Sequence, residues 1–227
     1  MLGLVECGTH VVTAAHIAPY AHSEKAMACE RLSGWLDKTM LVLADRGFYS
    51  CKLWRMADAT GAALLWRASA TLKLPAQQVL SDGSYLSTVY EGGDGAKQRG
   101  VTVRVVEYEL VGAAAATQEC YRLLTNILDP NAAPAGELAA LYHERWGIEG
   151  VFDEFKTHLR ANSTVLRSKT PDLVLQELWG LLLAHFAIRQ LMARAAWDRD
   201  LDPDRLSFSH AVRVIKRKMP QAAALPP

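Results

Sequence analysis

The chain has 227 residues, half of them hydrophobic, with 25 basic and 24 acidic side chains and a net charge of +1. That length accommodates one large domain, or a domain with an insertion, around a sizeable core. The balanced charge excludes nucleic-acid binding driven by overall charge and leaves the task to local basic patches. Cys7, Cys29, Cys51 and Cys120 are widely spaced and form no CxxC. They argue against a zinc site or a disulfide framework and for a reducing compartment. The N-terminus has no charged region followed by an apolar stretch and cleavage site, so no secretory signal is expected. The most apolar stretch, Leu178 to Ala196, contains His185, Arg189, Gln190 and Arg194, which suits a buried helix better than a membrane span.

In chain order, Leu2 to Ala15 reads as a strand or bent hairpin arm. Ser23 to Leu36 reads as a helix, with Ser23 as its cap and Ala26, Met27, Leu32 and Leu36 as its apolar face. Met40 to Ala44 is a short buried-type strand. Asp45 follows at its C-terminal end, where open sheets place their sites, and Gly47 permits a tight exit. From about Gly61 to Leu128 the pattern turns β-rich: Ala62 to Ala70, Tyr85 to Glu91, Val101 to Leu110 and Cys120 to Leu128 are strand-like. Gly83, Gly92-Gly93, Gly95, Gly100 and Gly112 punctuate them. Pro134 opens a helical region, and Glu137 to Leu159 is expected as one helix with Leu138, Leu141, Ile148, Phe152 and Phe155 in the core. A basic connector (Arg160, Arg167, Lys169) precedes a helix capped by Thr170 with Pro171 in its first turn. That helix is expected to bury Leu178, Trp179, Leu182, Phe186 and Leu191. Leu206 to Met219 has no acid but contains Arg213, Lys216, Arg217 and Lys218. It reads as a basic, solvated tail that frays from about Pro220. The implied organisation is 1–60, a partial core with Asp45; 61–133, a β-rich insertion; 134–197, helices completing the core; and 198–227, a partly disordered tail.

Tyr142, Arg145, Glu149 and Lys156 carry the chemistry. On a regular helix they fall within an arc of roughly 60°. A carboxylate, two cations and a phenol on one stripe suit a site where a metal meets a phosphate backbone. Each residue also has a plainer reading: Glu149 as a solvated carboxylate, Asp45 as a turn cap beside Arg46, Trp146 and Phe152 as core groups rather than base-stacking ones. Asp153 projects near the stripe and could orient a cation. The seven histidines show no ligand-like clustering.

The segment from Tyr142 to Lys156, YHERWGIEGVFDEFK, has the Y-x2-R-x3-E-x6-K spacing. It resembles the signature of bacterial insertion-sequence transposases of the DDE class, in the group of insertion sequence four. LADRGF around Asp45 is similar to that group's second-aspartate motif. LYHERWGIE, LRSKTP and QELWGLLLAHFAIR resemble its C-terminal half. The resemblance implies an α/β, RNase H-like fold with a β-rich insertion between the second Asp and the Glu. It also implies two divalent ions, Mg²⁺ or Mn²⁺, held by three carboxylates and used to cleave and transfer DNA strands. Asp45 corresponds to the second acid and Glu149 to the third; both would be catalytic and metal-holding. Tyr142, Arg145 and Lys156 correspond to residues that grip phosphates of the transposon end. The partners implied are double-stranded DNA, as transposon end and target, and a second copy on that DNA. The setting implied is the bacterial cytoplasm, at the nucleoid.

One element departs from the pattern. The acids before Asp45 are Glu6, Glu24, Glu30 and Asp37, and none stands where the first aspartate should. The N-terminal DNA-binding region of the family is not recognisable either. The chain therefore reads as the C-terminal part of a transposase, N-terminally incomplete, with little strand cleavage by itself. The alternatives are a catalytically silent remnant that still binds DNA or inhibits, and a soluble α+β domain whose stripe is a structural ion-pair network.

Overall fold

The computed structural model describes residues 1–91, 100–109, 120–159, 166 and 168–222. In chain order the elements are β1 (Leu2–Val5), β2 (Val12–His16), α1 (Glu24–Arg31), β3 (Leu41–Ala44), α2 (Cys51–Asp58), β4 (Ala63–Arg67), β5 (Gln78–Val79) and β6 (Tyr85–Val89). They continue with β7 (Val101–Glu109), β8 (Cys120–Thr125), α3 (Ala135–His143), α4 (Gly147–Asp153), α5 (Pro171–Trp197) and α6 (Phe208–Ala222). The chain divides into two compact units: Met1–Leu2 with Ala18–Arg145, and Gly3–Ile17 with Trp146–Pro227.

The first unit is built on a six-stranded mixed sheet in the order β3-β4-β8-β7-β6-β5. Strand β3 runs parallel to β4, with Ala44 opposite Trp66; the remaining pairs are antiparallel. The sequence ALLWR of β4 has no apolar/polar alternation, and Leu64, Leu65 and Trp66 are fully buried, as expected for a strand covered on both faces. Helix α2, not expected from the sequence, follows Asp45. The Ser50 hydroxyl caps it by accepting from the Leu53 amide, and Cys51, Leu53, Trp54 and Ala57 are buried. The Trp54 and Trp66 rings meet edge-to-face at 5.3 Å, a contact worth about 0.5–1.5 kcal/mol beyond its area.

One expectation changes here. Strand β3 lies at the sheet edge, and Leu41 is exposed, so it is not a buried-type strand. Within the β-rich segment, β4 pairs with β3 on one side and β8 on the other. The expected strands after β4 therefore extend one sheet. Gly92-Gly93, Gly95, Leu110 and Gly112 lie outside the described residues, as do Arg160, Arg167 and the end of the tail.

The connector from β8 to α3 is held by Arg104, which is fully buried on β7. Its guanidinium donates to the Ser84 hydroxyl (2.8 Å), to the Ala133 carbonyl (2.8 Å) and to Asp82. Longer bonds reach the carbonyls of Ile127 and Asp129. Asp82 also accepts from the Ala135 amide at the start of α3 (2.8 Å). Leu138 and Tyr142 then pack α3 against Leu65, Val106 and Leu123.

In the second unit β1 and β2 form a two-stranded sheet, and the bent hairpin arm expected from the sequence is present. Val5, Val12 and Ile17 pack against Val151, Phe155 and Leu182. Helix α5 has Pro171 in its first turn, but the Thr170 side chain makes no cap hydrogen bond. Its buried face is not the expected one. Leu182, His185, Ile188, Arg189, Met192, Ala193 and Ala196 are buried, while Trp179, Phe186 and Leu191 are exposed. Two charged groups invert that face: buried Glu154 accepts from His185 Nε2 (2.8 Å) and from Arg189 (3.1 Å from Nε). Residues Phe208–Ala222 form α6, whose Phe208, Val212 and Ile215 pack on Ile188 and Met192.

Replacing Arg104 by Met should lower the unfolding free energy by about 3–5 kcal/mol, because it leaves Asp82 and buried carbonyls uncompensated. Urea melts check this. Burial alone would raise the Asp82 carboxyl, but bonds from Ser84 and Ala135 and the charge of Arg104 hold it below the usual range. Its stabilisation is therefore complete above the ordinary aspartate range and lost as pH falls through the lowered value. Asp82→Asn should flatten the acid side of the stability–pH curve.

Candidate functional site

Asp45 stands immediately after β3, half-buried, at the C-terminal end of a parallel pair. Its carboxylate accepts from the Arg46 amide at 2.6 Å, and its carbonyl accepts from the Phe48 amide. A turn cap beside Arg46 is thus part of its role, as the plainer reading held. The register that sets Ala44 beside Trp66 makes Arg67, the next residue of β4, the one level with Asp45. Arg67 also lies over the Tyr121 ring at 4.1 Å. The sequence reading missed this cation; an arginine ending the strand after an acid-ended strand is the signal that could have found it.

Tyr142 is the link between α3 and Asp45. It is 2 % exposed, and its hydroxyl donates to the carbonyl of Ala44 at 3.3 Å. Burial raises its pKa to about 12; Arg145 works the other way and Asp45 with burial. The guanidinium carbon of Arg145 lies 5.6 Å from the Tyr142 ring centre. The phenol hydrogen therefore points at the strand that presents Asp45, not at solvent where a phosphate would sit.

The helical run through the four stripe residues is not one regular helix. Helix α3 ends at His143, a 3-10 turn spans Glu144–Trp146, α4 covers Gly147–Asp153, and a π-helical turn covers Glu154–Leu159. Rotation per residue differs among these forms, so the 60° arc of a regular helix does not carry over. The unit boundary falls within the signature: Tyr142 and Arg145 belong to the first unit, Glu149 and Lys156 to the second. Glu149 and Lys156 are both exposed. Trp146, expected in the core, is 53 % exposed, whereas Phe152 packs beside Val151 and Phe155. Leu141 is exposed too. Asp153 receives the Thr157 hydroxyl on its carbonyl (2.6 Å).

On α6 the basic residues oppose the packed face. Arg213, Lys216 and Arg217 are exposed and fall within about 100° of helix circumference. Oxygen donors such as Asp45 and Glu149 suit hard ions like Mg²⁺ or Mn²⁺. Among the described residues no three His, Cys, Asp or Glu side chains gather as a metal group. The four cysteines form no disulfide with one another.

An acid follows a parallel strand, and a second acid, a lysine and an arginine lie in the helical run from Ala135 to Leu159. The family model for the transposase DDE domain matches residues 3–187. This chain belongs to that family, the DDE transposases. It is 30% identical over 222 residues, 96% of its length, to transposase InsG for insertion sequence element IS4 of Escherichia coli (strain K12). The match covers 50% of that protein, so the chain spans about half the length of the curated relative. Helix α6 lies beyond the segment matched by the family model.

Tyr142→Phe should keep the packing and lose one hydrogen bond, costing about 0.5–1.5 kcal/mol. Tyr142→Ala should cost about 3–5 kcal/mol by analogy with other large aromatic deletions. Thermal melts of the two variants check the difference.

Proposed function

We propose that the chain supplies the second and third acids of a DDE site that cleaves and transfers DNA strands at the ends of an insertion sequence. The observation that carries this reading is the conjunction of the family match with the Tyr142-Arg145-Glu149-Lys156 spacing and the strand-end position of Asp45. In this reading β3, α2 and β4 are the RNase H-like part, and β5 to β8 are the insertion between Asp45 and Glu149. Asp45 and Glu149 hold the divalent ions, Mg²⁺ or Mn²⁺. When bound, such ions activate the attacking oxygen and neutralise the leaving one.

The chain's own residues do the rest. Arg145 presents a planar fork suited to two phosphate oxygens, and Lys156 a mobile point charge. Tyr142 keeps the end of β3 against α3, which sets where Asp45 projects; a direct phosphate contact by its hydroxyl requires the Ala44 bond to open. The partners in this reading are double-stranded DNA and a second copy on that DNA, in the cytoplasm at the nucleoid. No described helix is long and apolar enough to cross a membrane.

The acids ahead of Asp45 support a restriction on activity. Glu6 accepts from the amides of Gly8 and Thr9, Glu30 faces His22, and Asp37 accepts from Thr39. We therefore infer that these residues do not provide the first aspartate, and that the 227 residues cleave DNA weakly by themselves. The same observation favours a second reading, a DNA-binding protein without catalysis.

Calorimetric titration with Mn²⁺ tests the metal role. Weak binding that vanishes in both Asp45→Asn and Glu149→Gln is the expected result, and binding untouched by either change removes the reading. DNA contact is read from salt dependence. Arg145→Ala and Lys156→Ala should each flatten the log K against log salt slope by about 1. Mg²⁺-dependent nicking of a cognate end by this chain, abolished in Glu149→Gln, would overturn the expected weakness.

A further inference from the structure

Helix α4, which carries Glu149, is poorly equipped to hold its own direction. It has seven residues and no side-chain cap at its N-terminus. A 3-10 turn precedes it and a π-helical turn follows. A helix this short is not stable in isolation and takes its placement from tertiary contacts. Two such contacts bracket Glu149, and both lead to one histidine.

His10 sits in the turn joining β1 and β2 with φ +58°, the left-handed region that non-glycine residues seldom occupy. Glu6 closes that turn by accepting from the amides of Gly8 and Thr9. Burial alone would raise its carboxyl, but the Thr9 hydroxyl and these amides hold it below the usual range. Backbone strain of this kind persists where surrounding contacts over-determine it, and His10 has such contacts on every side. Its Nδ1 faces an Arg189 terminal nitrogen at 3.0 Å. A guanidinium only donates, so the ring nitrogen is the acceptor in this pair. Nε2 faces Asp204 at 3.4 Å. The same ring lies against Gly147, where an added Cβ would come within 2.6 Å of Nε2.

Arg189 extends the connection. The nitrogen that serves His10 also donates to Glu154, and Arg189 Nε donates to the same carboxylate at 3.1 Å. Glu154 is completed by His185 Nε2 at 2.8 Å. His185 is fully buried, and its Nδ1 has no hydrogen-bond partner among the described residues. Gly147 is two residues before Glu149 and Glu154 five residues after it. The start of α4 is thus butted against the His10 ring, and the residue after its end is tied to that ring through Arg189.

We propose that His10 is a positioning residue for Glu149, acting through Gly147 at one end of α4 and through Arg189 and Glu154 at the other. The assignment rests on the reading of Glu149 as a metal-holding acid. It also accounts for Gly147 inside the signature, because any side chain there displaces the imidazole. The charged and titratable groups facing His10 are Arg189 on α5, Asp204 in the 3-10 turn Pro203–Arg205, and Glu6 in its own turn.

The test uses the 227-residue chain with three readouts: amide hydrogen exchange, thermal midpoint and Mn²⁺ affinity. His10→Ala should speed exchange across residues 147–153 by about tenfold more than across α5, and weaken Mn²⁺ binding. His10→Asn tolerates the left-handed backbone and keeps an acceptor for Arg189, so it should restore most of both. Gly147→Ala should mimic His10→Ala in the parent, and do much less harm in a His10→Gly background, where the clash is gone. Exchange that rises evenly through the second unit, failure of Asn to rescue, or Mn²⁺ affinity lost in Glu149→Gln but unchanged in His10→Ala would each overturn the positioning role. No Mn²⁺ binding in the parent strikes the metal reading of Glu149; the exchange pattern then decides on its own whether His10 fixes α4.

Discussion

Strand β4 is paired on both edges and buried on both faces, and the first unit depends on that. On one edge it holds β3 in parallel register; on the other it receives β8. Leu64, Leu65 and Trp66 have no exposed surface, with Trp54 of α2 against Trp66 and Leu138 and Tyr142 of α3 near Leu65. Among the described residues, the four-residue strand β3 has one neighbour. Its end, where Asp45 begins, is therefore located by two things: the ladder to β4 and the Tyr142 hydroxyl on the Ala44 carbonyl. A strand of that length held on one edge would fray without the second.

Each unit also spends buried charge on a connection rather than on its core. Arg104 gathers Asp82, Ser84 and three carbonyls of the segment that leads into α3. Arg189 gathers Glu154 and His10 around the helix that bears Glu149. Buried pairs of this kind add little net stability over an apolar replacement, but breaking one partner is costly. Their value lies in direction: a guanidinium fork fixes the angle of what it binds, which an apolar contact does not. In both units the fixed object lies next to a residue of the transposase signature.

The family assignment and the geometry bear on different questions. Membership of the DDE transposases rests on a match through most of the chain. The geometry adds what a signature cannot state: Tyr142 is a buried tie to the Asp45 strand, Trp146 is on the surface, and the run between them changes helical form. The π-helical turn at Glu154 is of interest because such turns recur at functional sites.

Several elements were legible in the sequence because their signals are local. The hairpin arm, α1 with its Ser23 cap, β4 and β6 to β8, and the Pro134 and Pro171 helix starts follow from alternation, capping and proline chemistry. The signature spacing and LADRGF pointed to the family by themselves. What only the tertiary structure decided is long-range. The buried face of α5 could not be read from hydrophobicity, since Glu154, 31 residues from His185, makes burying His185 and Arg189 affordable and turns Trp179 and Phe186 outward. The placement of α6 depends on a hydrophobic partner, Ile188 and Met192, outside its own segment. The left-handed His10 looked like one of seven unclustered histidines. Its place became visible only when the fold brought Gly147, Arg189 and Asp204 around it, because a contact 137 to 194 residues away leaves no periodicity in the chain.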